Sequence, residues 1–274
     1  MMTGFKRGRV VAVTSGKGGV GKTSLAVNVG IALSRLGHRT AVVDGNYGLG
    51  NVDVMLGLTP VLHLGHLLSG ERGLNEIALE GPAGVSIVPA GSGVPGLTAL
   101  TAVQRGRLRV ALDRLRENRD FIVVDTATGI SDSVLDTVAL ADRVLVVTSL
   151  DPPAVVDAYA TVKVLSTAVP SLDLGIVVNG VRDGEEATLA FRQLEIAANR
   201  FLTRAIHYYG YIPDDAHVRD AVLMQRAVIE QVPHSAAGRA YRALAVKLAG
   251  LSPTSGHSLD VSSTLGGEEI SRCA

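Results

Sequence analysis

The sequence of 274 residues lacks several features that define particular classes of protein. Its only cysteine is Cys273, which excludes a disulfide framework and a cysteine-ligated zinc or iron–sulfur site within one chain. Basic and acidic residues balance at 26 each, so net charge gives no reason to expect nucleic acid or an acidic membrane as the main partner. There is no signal peptide and no apolar run of about 18 residues. We therefore expect a soluble cytoplasmic protein.

What the chain does have is enough apolar material for a large core. Hydrophobic residues make up 47% of the sequence and charged residues only 19%, which argues against general disorder. Short, nearly continuous runs of Val, Ile and Leu indicate strands that are buried on both faces of a sheet. The predicted strands are Val10–Thr14, Thr40–Asp44, Val85–Pro89, Phe121–Asp125, Arg143–Thr148, Gly175–Asn179 and Ala205–Tyr209. The predicted helices are Lys22–Leu36, Ala102–Glu117, Ala154–Ala168, Glu186–Phe201 and Ser235–Leu248.

Strands and helices alternate along the chain, and no linker interrupts the first 250 residues. This alternation predicts right-handed crossovers and a mostly parallel sheet with helices on both faces. We therefore predict a single α/β domain over residues 1–251. Residues 252–274 are polar, rich in Ser and Gly and without periodicity, so we predict a disordered tail there.

The segment GKGGVGKTS follows the first predicted strand and opens the first predicted helix. It satisfies the phosphate-loop pattern G-x-x-x-x-G-K-[ST] in the strand–loop–helix setting that the pattern needs. The glycines let backbone N–H groups point at phosphate oxygens, Lys22 supplies positive charge, and Thr23 offers a hydroxyl to Mg²⁺. The predicted nucleotide-binding residues of this loop are Gly16, Lys17, Gly18, Gly19, Val20, Gly21, Lys22, Thr23 and Ser24.

Two acidic residues end predicted strands and are candidates, with Thr23, for a Mg²⁺ site. Asp125 ends an apolar strand, as a Walker B acid does. The alternative is that Asp125 caps the next helix, although Ser131 could take that position instead. Asp44 ends the second strand in the same way and could contact the water shell of the metal. The alternative for Asp44 is a turn-forming residue before a glycine.

The phosphate loop and the segments around these acids resemble the MinD/ParA superfamily of SIMIBI-class P-loop ATPases. KGGVGKT resembles the deviant Walker A signature of that family. The residues that match its acid-x-acid and GL-x-N-x-D pattern are Asp44, Gly48, Leu49, Asn51 and Asp53. Within the superfamily the sequence is most similar to the FlhG (FleN) group of flagellar-number regulators, through residues 125–131, 151–165 and 208–222. The resemblance extends over residues 10–251.

The resemblance implies a nucleotide-sandwich dimer with ATP or ADP and Mg²⁺ as cofactors. In such a dimer Lys17 would reach the phosphates bound by the partner, and Asp157 would pair with Lys17 when nucleotide is absent. A solvated acid on a helix is the alternative for Asp157. Asn179 would contact the adenine and Pro213 would lie beside the base. An asparagine in a strand-end turn is the alternative for Asn179.

Asn46 stands where the family has its second acid, which is associated with the attacking water. An amide oxygen can orient water but is not a useful base, and losing a base costs about 10²–10⁴ in rate when proton abstraction matters. Phosphoryl transfer depends mainly on positioning and charge, however, so an amide can suffice. We predict intact binding and slow hydrolysis, with Lys17, Lys22, Asp44 and Asn46 as catalytic residues. The alternative is an asparagine that suits a turn, with catalysis elsewhere.

The implied function is an ATP-dependent dimerising switch that controls the placement or number of a polar structure such as the flagellum. The implied partner is an FlhF-like GTPase or another flagellar or polar factor, although MMTGFKRGRV is too short for the segment that stimulates such a GTPase. The residues after Leu251 contain no basic amphipathic stretch, which argues against direct membrane attachment and leaves a peripheral location open. The alternatives are a nucleotide-dependent binding module with negligible turnover and a ParA-like DNA-partitioning ATPase.

Six arginines on one predicted helix bear on the nucleic-acid alternative. Five of them lie on the two flanks of a predicted buried stripe formed by Leu108, Ala111, Leu112 and Leu115: Arg105, Arg109 and Arg116 on one, Arg107 and Arg114 on the other. This arrangement favours arginine stems that cover the apolar stripe over a nucleic-acid surface, so nucleic acid is not expected as a partner. The arginines are Arg105, Arg107, Arg109, Arg114, Arg116 and Arg119. His63 and His66 lack a third ligand and are predicted to be structural or exposed.

Overall fold

The computed structural model describes residues 7–91, 100–202 and 205–250, so the predicted tail at 252–274 lies outside the described residues. Within those ranges, eight strands form one sheet in the order β3-β4-β2-β5-β1-β6-β7-β8. The strands are β1 Arg9–Thr14, β2 Thr40–Gly45, β3 Leu79–Glu80, β4 Ser86–Val88, β5 Phe121–Thr126, β6 Arg143–Thr148, β7 Asp173–Val181 and β8 His207–Pro213. Every neighbouring pair is parallel except β3 and β4, which are antiparallel.

Helices connect the strands and cover both faces of the sheet. The longer ones are α1 Lys22–Arg35, α5 Ala102–Asn118, α7 Pro152–Ala168, α8 Gly184–Phe201 and α11 Ala236–Ala249. The shorter ones are α2 Val52–Met55, α3 Leu64–Ser69, α4 Leu74–Ile77, α6 Asp132–Val138, α9 Ala216–Leu223 and α10 Val228–Gln231, with a single 3₁₀ turn at Pro82–Gly84. No helix of the described residues is long and apolar enough to cross a bilayer.

The central strand β1 shows how the sequence builds the layers. Because side chains alternate along a strand, Val11 and Val13 pack on one face with α1 and α11. Ala12 faces the other side with α6, α7 and α8, and Val10 packs there with α3 and α5. Both faces of β1 are therefore buried, which explains why its sequence is a continuous apolar run.

The predicted α/β sheet with helices on both faces is confirmed, and most predicted element boundaries agree to within two residues. β8 is the main exception, because it continues to Pro213 and its pairing with β7 changes register between Ile176 and Val177. The two-residue strand β3 was missed because so short an antiparallel edge leaves no period to detect. The predicted stripe of Leu108, Ala111, Leu112 and Leu115 is the buried face of α5.

The strand order brings the residues of the predicted site together at the carboxyl ends of the central strands. β1 lies between β5 and β6, and β5 lies between β1 and β2, so the carboxyl ends of β1, β2 and β5 are adjacent. Asp44 on β2 is in register with Asp125 on β5. In parallel α/β sheets, ligands bind outside the carboxyl ends of the strands, where the strand order reverses.

Candidate nucleotide-binding site

The phosphate loop is held in a tight curve by close contacts to two neighbouring segments. A Cβ at Gly16 would lie 2.3 Å from the backbone oxygen of Asp157, so only glycine fits there. Gly21 has a φ of +94°, and a Cβ at this position would lie 2.2 Å from Nδ2 of Asn179. No side chain caps the start of α1 at Gly21, so the first N–H groups of that helix remain for an anion. These features suit a phosphate.

Lys22 is the buried cation of the loop, with only 8% of its surface exposed. Its Nζ donates hydrogen bonds to Oγ of Ser15 at 3.0 Å and to Oγ1 of Thr128 at 2.5 Å. Burial lowers the pKa of Lys22, and the nearby charge of Asp125 opposes that shift. A buried ammonium that has only two neutral hydroxyl partners is well placed to gain a phosphate oxygen as its third.

Thr23 and Asp125 form the predicted metal pair. Oγ1 of Thr23 donates to Oδ2 of Asp125 at 2.6 Å, while Oδ1 of Asp125 is buried and has no hydrogen-bond partner among the described residues. Burial raises the pKa of Asp125 to about 7, and the charge of Asp44 contributes to the shift. Hydroxyl and carboxylate oxygens are the ligands that Mg²⁺ prefers. A buried carboxylate oxygen without a hydrogen-bond partner is unfavourable unless it binds a cation. The residues therefore fit Mg²⁺.

Asp44 is buried beside this pair, but its carboxylate is already occupied by the loop that follows β2. Oδ1 accepts a hydrogen bond from the backbone N–H of Asn46 at 3.1 Å. Oδ2 accepts from the N–H groups of Asn51 at 2.9 Å and Val52 at 3.1 Å, at the start of α2. These contacts support the turn-forming interpretation of Asp44. Its role near the metal stays a prediction.

Asn46 lies in the same loop, and its side chain supports a turn. Its Nδ2 donates to the backbone oxygen of Leu49 at 2.7 Å, and the N–H of Leu49 donates back to the Asn46 carbonyl at 3.2 Å. The alternative of an asparagine that suits a turn is therefore supported by the geometry. The contact uses the amide nitrogen, so Oδ1 keeps its capacity to accept a hydrogen bond from water.

Lys17 is paired with a different acid from the one that the family resemblance implied. Its Nζ lies 3.5 Å from Oδ2 of Asp151, at the start of α7, and both side chains are well exposed. Among the described residues Lys17 makes its ion pair with Asp151 rather than with the expected Asp157, whose backbone packs against Gly16. An exposed ion pair at this distance contributes at most a few tenths of a kcal/mol to stability, as is usual for surface ion pairs. Lys17 is therefore held only weakly in this position.

The remaining predicted nucleotide contacts surround the loop. Nδ2 of Asn179 donates to the backbone oxygen of Val20 at 2.7 Å, so this side chain braces the phosphate loop. Pro213 ends β8, next to β7, which carries Asn179. The hydroxyl of Ser24 lies 3.1 Å from the hydroxyl of Tyr241 on α11, so this side chain also links the phosphate loop to α11. Adenine contacts by Asn179 and Pro213 stay predictions.

Sequence reasoning missed three residues that the structure brings to the site. Ser15 and Thr128 hold Lys22, and Asp151 pairs with Lys17. Thr128 lies three residues after Asp125, within the segment DTATGIS that supported the family resemblance. The signal for all three was a hydroxyl or carboxylate near a strand end, which is too common to single out from sequence alone.

The predicted structural role of the two neighbouring histidines is confirmed. His63 accepts a hydrogen bond from the N–H of Gly65 at 3.1 Å, and Nδ1 of His66 accepts from the N–H of His63 at 3.3 Å. The two rings thus cap the start of α3 reciprocally. They lie on the β4–α3 side of the sheet and take no part in the phosphate loop.

The fold and the loop geometry define a P-loop nucleotide-binding protein, and comparisons with known proteins place it more narrowly. Residues 11–228 match the family described as the CobQ/CobB/MinD/ParA nucleotide binding domain. The chain is 42% identical over 240 residues to the antiactivator FleN of Pseudomonas aeruginosa, covering 88% of this chain and 86% of that protein. It is 31% identical to the flagellum site-determining protein YlxH of Helicobacter pylori, covering 80% and 75% respectively.

A solved structure of similar fold is the cell division ATPase MinD of Pyrococcus furiosus, with a TM-score of 0.76 at 24% identity, covering 89% of this chain and all of that one. Another is MinD of Pyrococcus horikoshii in complex with Mg-ADP, with a TM-score of 0.72 at 23% identity, covering 88% and 95%. This chain belongs to the CobQ/CobB/MinD/ParA family. The predicted class, a nucleotide-binding P-loop protein of the MinD/ParA type, is confirmed.

Proposed function

We propose that this protein is an ATP-dependent dimerising switch that regulates the number or placement of flagella. The observation that carries the proposal is the Thr23–Asp125 pair, with its unpartnered buried oxygen, next to the buried ammonium of Lys22. The flagellar role is supported by the similarity to FleN and YlxH over most of the chain. The proposed place of action is the cytoplasm or, through a partner, the periphery of the inner membrane at a cell pole.

The phosphate loop and the end of β5 bind different parts of the ligand in this proposal. The N–H groups at the start of α1 and the ammonium of Lys22 hold phosphate oxygens, because both present positive charge in a buried setting. Thr23 and Asp125 would hold Mg²⁺, which supplies positive charge to the phosphates when it is bound. Lys22 can donate to a phosphate oxygen while it keeps its hydrogen bonds to Ser15 and Thr128, since its Nζ has three protons to donate and these two contacts use only two of them.

We propose that Lys17 acts in trans, on the nucleotide held by a second copy of the chain. Its contact with Asp151 is long and exposed, so exchanging that carboxylate for a phosphate across a dimer interface costs little. The triphosphate offers a stronger, charge-assisted hydrogen bond in a site from which the second copy excludes water. ATP is thereby proposed to stabilise the dimer, and hydrolysis to dissolve it.

A second candidate function, a nucleotide-dependent binding module with negligible turnover, is favoured by Asn46. Its amide nitrogen is bound to Leu49, and the side chain has no basic group that could take a proton from water. We propose slow rather than absent hydrolysis, because Oδ1 can still orient a water and phosphoryl transfer depends chiefly on positioning. Measured turnover of the purified protein with ATP separates the two functions.

The alternative of a DNA-partitioning ATPase finds little support on the arginine-rich helix α5. Arg105 donates to the Leu100 carbonyl at 2.9 Å, and Arg116 donates to Asp142 at 3.1 Å. Arg119, which follows the last residue of α5, donates to Oγ of Ser86 at 2.7 Å. Because these three guanidinium groups are engaged with the protein, only part of the arginine cluster is available to a phosphate backbone.

The test of the switch is a measurement of molecular mass in solution with Mg-ADP and with Mg-ATP, for the unaltered chain and for Lys17→Ala. Lys163→Ala, at an exposed lysine of α7 outside the site, is the matched control. We expect a dimer only with ATP, in the unaltered chain and the control but not in Lys17→Ala. A dimer that forms equally with ADP, or that survives Lys17→Ala, contradicts the proposal.

The flagellar role is tested by counting flagella per cell in a Pseudomonas aeruginosa strain that lacks FleN and expresses this chain. Restoration of the normal count by the unaltered chain, but not by Lys22→Ala at equal protein level, is the expected result. If the chain binds and hydrolyses ATP but leaves the count unchanged, the flagellar assignment fails while the nucleotide switch stands.

A further inference from the structure

A groove of about 500 Å³ lies between α5 and the α3–α4 segment, apart from the nucleotide site. Its apolar lining includes Leu67, Leu74, Val110 and Ala111. Val110 is 51% exposed, so the apolar lining continues onto the outer surface of α5. None of the lining residues belongs to the phosphate loop, to the loop after β2 or to the segment after β5.

The charged residues of the groove are predominantly basic. Arg72 lies on the α3–α4 side, Arg107 and Arg114 lie on the α5 side, and Glu71 is the one acid in the lining. Arg72 pairs with Glu76 at 3.1 Å, and both side chains remain about half exposed. Such exposed pairs are weak and can be exchanged for an incoming carboxylate. The groove thus has an apolar floor with positive charge on both walls.

Arg107 is held in a fixed position on the groove wall. Its Nη1 donates to the backbone oxygen of Leu68 at 2.6 Å, and its guanidinium lies over Gly70. A Cβ at Gly70 would come within 2.8 Å of Cζ of Arg107, and this glycine also has a φ of +87°. The loop between α3 and α4 is therefore shaped to receive this guanidinium. Its other N–H groups are oriented in advance for an acceptor in the groove, which lowers the entropy cost of binding.

Arg114 has no acceptor of its own. Within the described residues it makes no hydrogen bond or ion pair, unlike Arg105 and Arg116 on the same helix. It follows Val103, Arg107 and Val110 at spacings of four, three and four residues, so these four side chains share one exposed face of α5. That face alternates apolar and basic groups beside the groove.

We propose that this groove binds an amphipathic helix of a partner protein, one that carries acidic side chains next to apolar ones. A helix placed in a groove presents its side chains to it at i, i+3, i+4 and i+7. Acidic and apolar side chains at those positions would meet the basic and apolar groups that α5 presents beside the groove. Arginines on both walls with an apolar floor between them suit an inserted helix better than a flat lipid surface. The proposal does not depend on the nucleotide site.

The experiment is a selection of displayed random peptides of about 16 residues on the full chain, followed by binding of individual synthetic peptides measured by fluorescence polarisation. We expect enriched peptides to combine Asp or Glu with apolar residues at helical spacing. Arg114→Glu and Val110→Asp should each weaken their binding by about tenfold, because one reverses a charge and the other removes apolar contact. Neither side chain makes a polar contact in the described protein, so both variants should fold.

The matched control is Arg109→Glu, which places the same charge reversal on the other flank of α5, and its peptide affinity should remain within about twofold of the unaltered chain. Peptides without acidic enrichment, or peptides that bind Arg114→Glu as well as the unaltered chain, would overturn the proposal. Vesicles of phosphatidylglycerol and a short DNA duplex serve as two further probes. Arg114-dependent binding to either one, without any selected acidic peptide, assigns the face to lipid or nucleic acid and also overturns it.

Discussion

Asp44 and Asp125 are the same residue type, end neighbouring strands, lie in register and are both buried, yet they are satisfied in opposite ways. Asp44 accepts three backbone hydrogen bonds from the loop after β2. Asp125 accepts one hydrogen bond from Thr23 and keeps a buried oxygen without a partner. Burial raises the pKa of both, to about 6 for Asp44 and to about 7 for Asp125.

The difference shows that position at a strand end does not by itself assign a role to a carboxylate. Asp44 stabilises the conformation of the loop that carries Asn46, because that loop folds around its oxygens. Asp125 contributes little to the stability of the nucleotide-free protein, since one of its oxygens is removed from water and accepts no hydrogen bond within the described residues. We infer that Asp125 provides the site for the cation, and that Asp44 positions the loop beside it.

The strongest test of this difference is to replace each acid by its amide. Asp125→Asn removes the anionic oxygen that we assign to Mg²⁺, so we expect ATP hydrolysis to fall about 10³-fold, and nucleotide affinity to lose its dependence on Mg²⁺. The free energy of unfolding without nucleotide should be unchanged or higher, because a buried charge without a full set of partners is removed. Turnover assays and urea unfolding measure the two effects.

Asp44→Asn is the matched comparison, and we expect it to affect stability more than Mg²⁺ dependence. Its new NH₂ group would face the N–H groups of the loop, and a lost pair of such bonds costs about 1–3 kcal/mol. If Asp44→Asn removed the Mg²⁺ dependence and Asp125→Asn did not, the assignment of the two acids would be reversed.

A second prediction concerns pH and the nucleotide-free protein. Both acids have folded pKa values above the unfolded value of 3.8, so between about pH 4 and 7 the folded state binds more protons than the unfolded state. The free energy of unfolding should therefore fall by several kcal/mol as the pH rises through this window, since each unit of pKa shift corresponds to about 1.4 kcal/mol. Asp215, whose pKa is lowered to about 2 mainly through its hydrogen bonds against the effect of burial, acts below this window and in the opposite direction.

Urea unfolding at a series of pH values measures this slope, and Asp125→Asn should remove much of it. Saturating Mg-ATP should also flatten the slope, because a bound cation favours the ionised form of Asp125. If the free energy of unfolding without nucleotide stays constant or rises between pH 4 and 7, the pKa values of the two carboxylates are not raised as described.

The sequence was sufficient to predict the parts of the molecule that depend on local chemistry. The phosphate loop, Asp125 and the buried stripe of α5 follow from glycine spacing, an apolar strand and helical periodicity. The partner of Lys17 and the bonds around Asp44 did not follow, because they depend on how segments distant in sequence pack at the sheet edge. Tertiary contacts also explain why Asn179 braces the loop, a role that its position in β7 could not indicate.

The smallest expected effect concerns Asn46, whose backbone N–H is bound by Asp44 and whose side chain holds a turn. Asn46→Asp exchanges the amide for a carboxylate that can accept a proton from water, so we expect turnover with ATP to rise about tenfold. The gain is limited, because the new charge lies near Asp44 and the bond from Nδ2 to Leu49 is lost. Asn46→Ala is the control: it loses the same turn contact without adding a base and should hydrolyse ATP no faster than the unaltered chain. Equal turnover for Asn46→Asp and Asn46→Ala would mean that the asparagine only shapes the loop that Asp44 holds, and that the base or water-orienting group lies elsewhere.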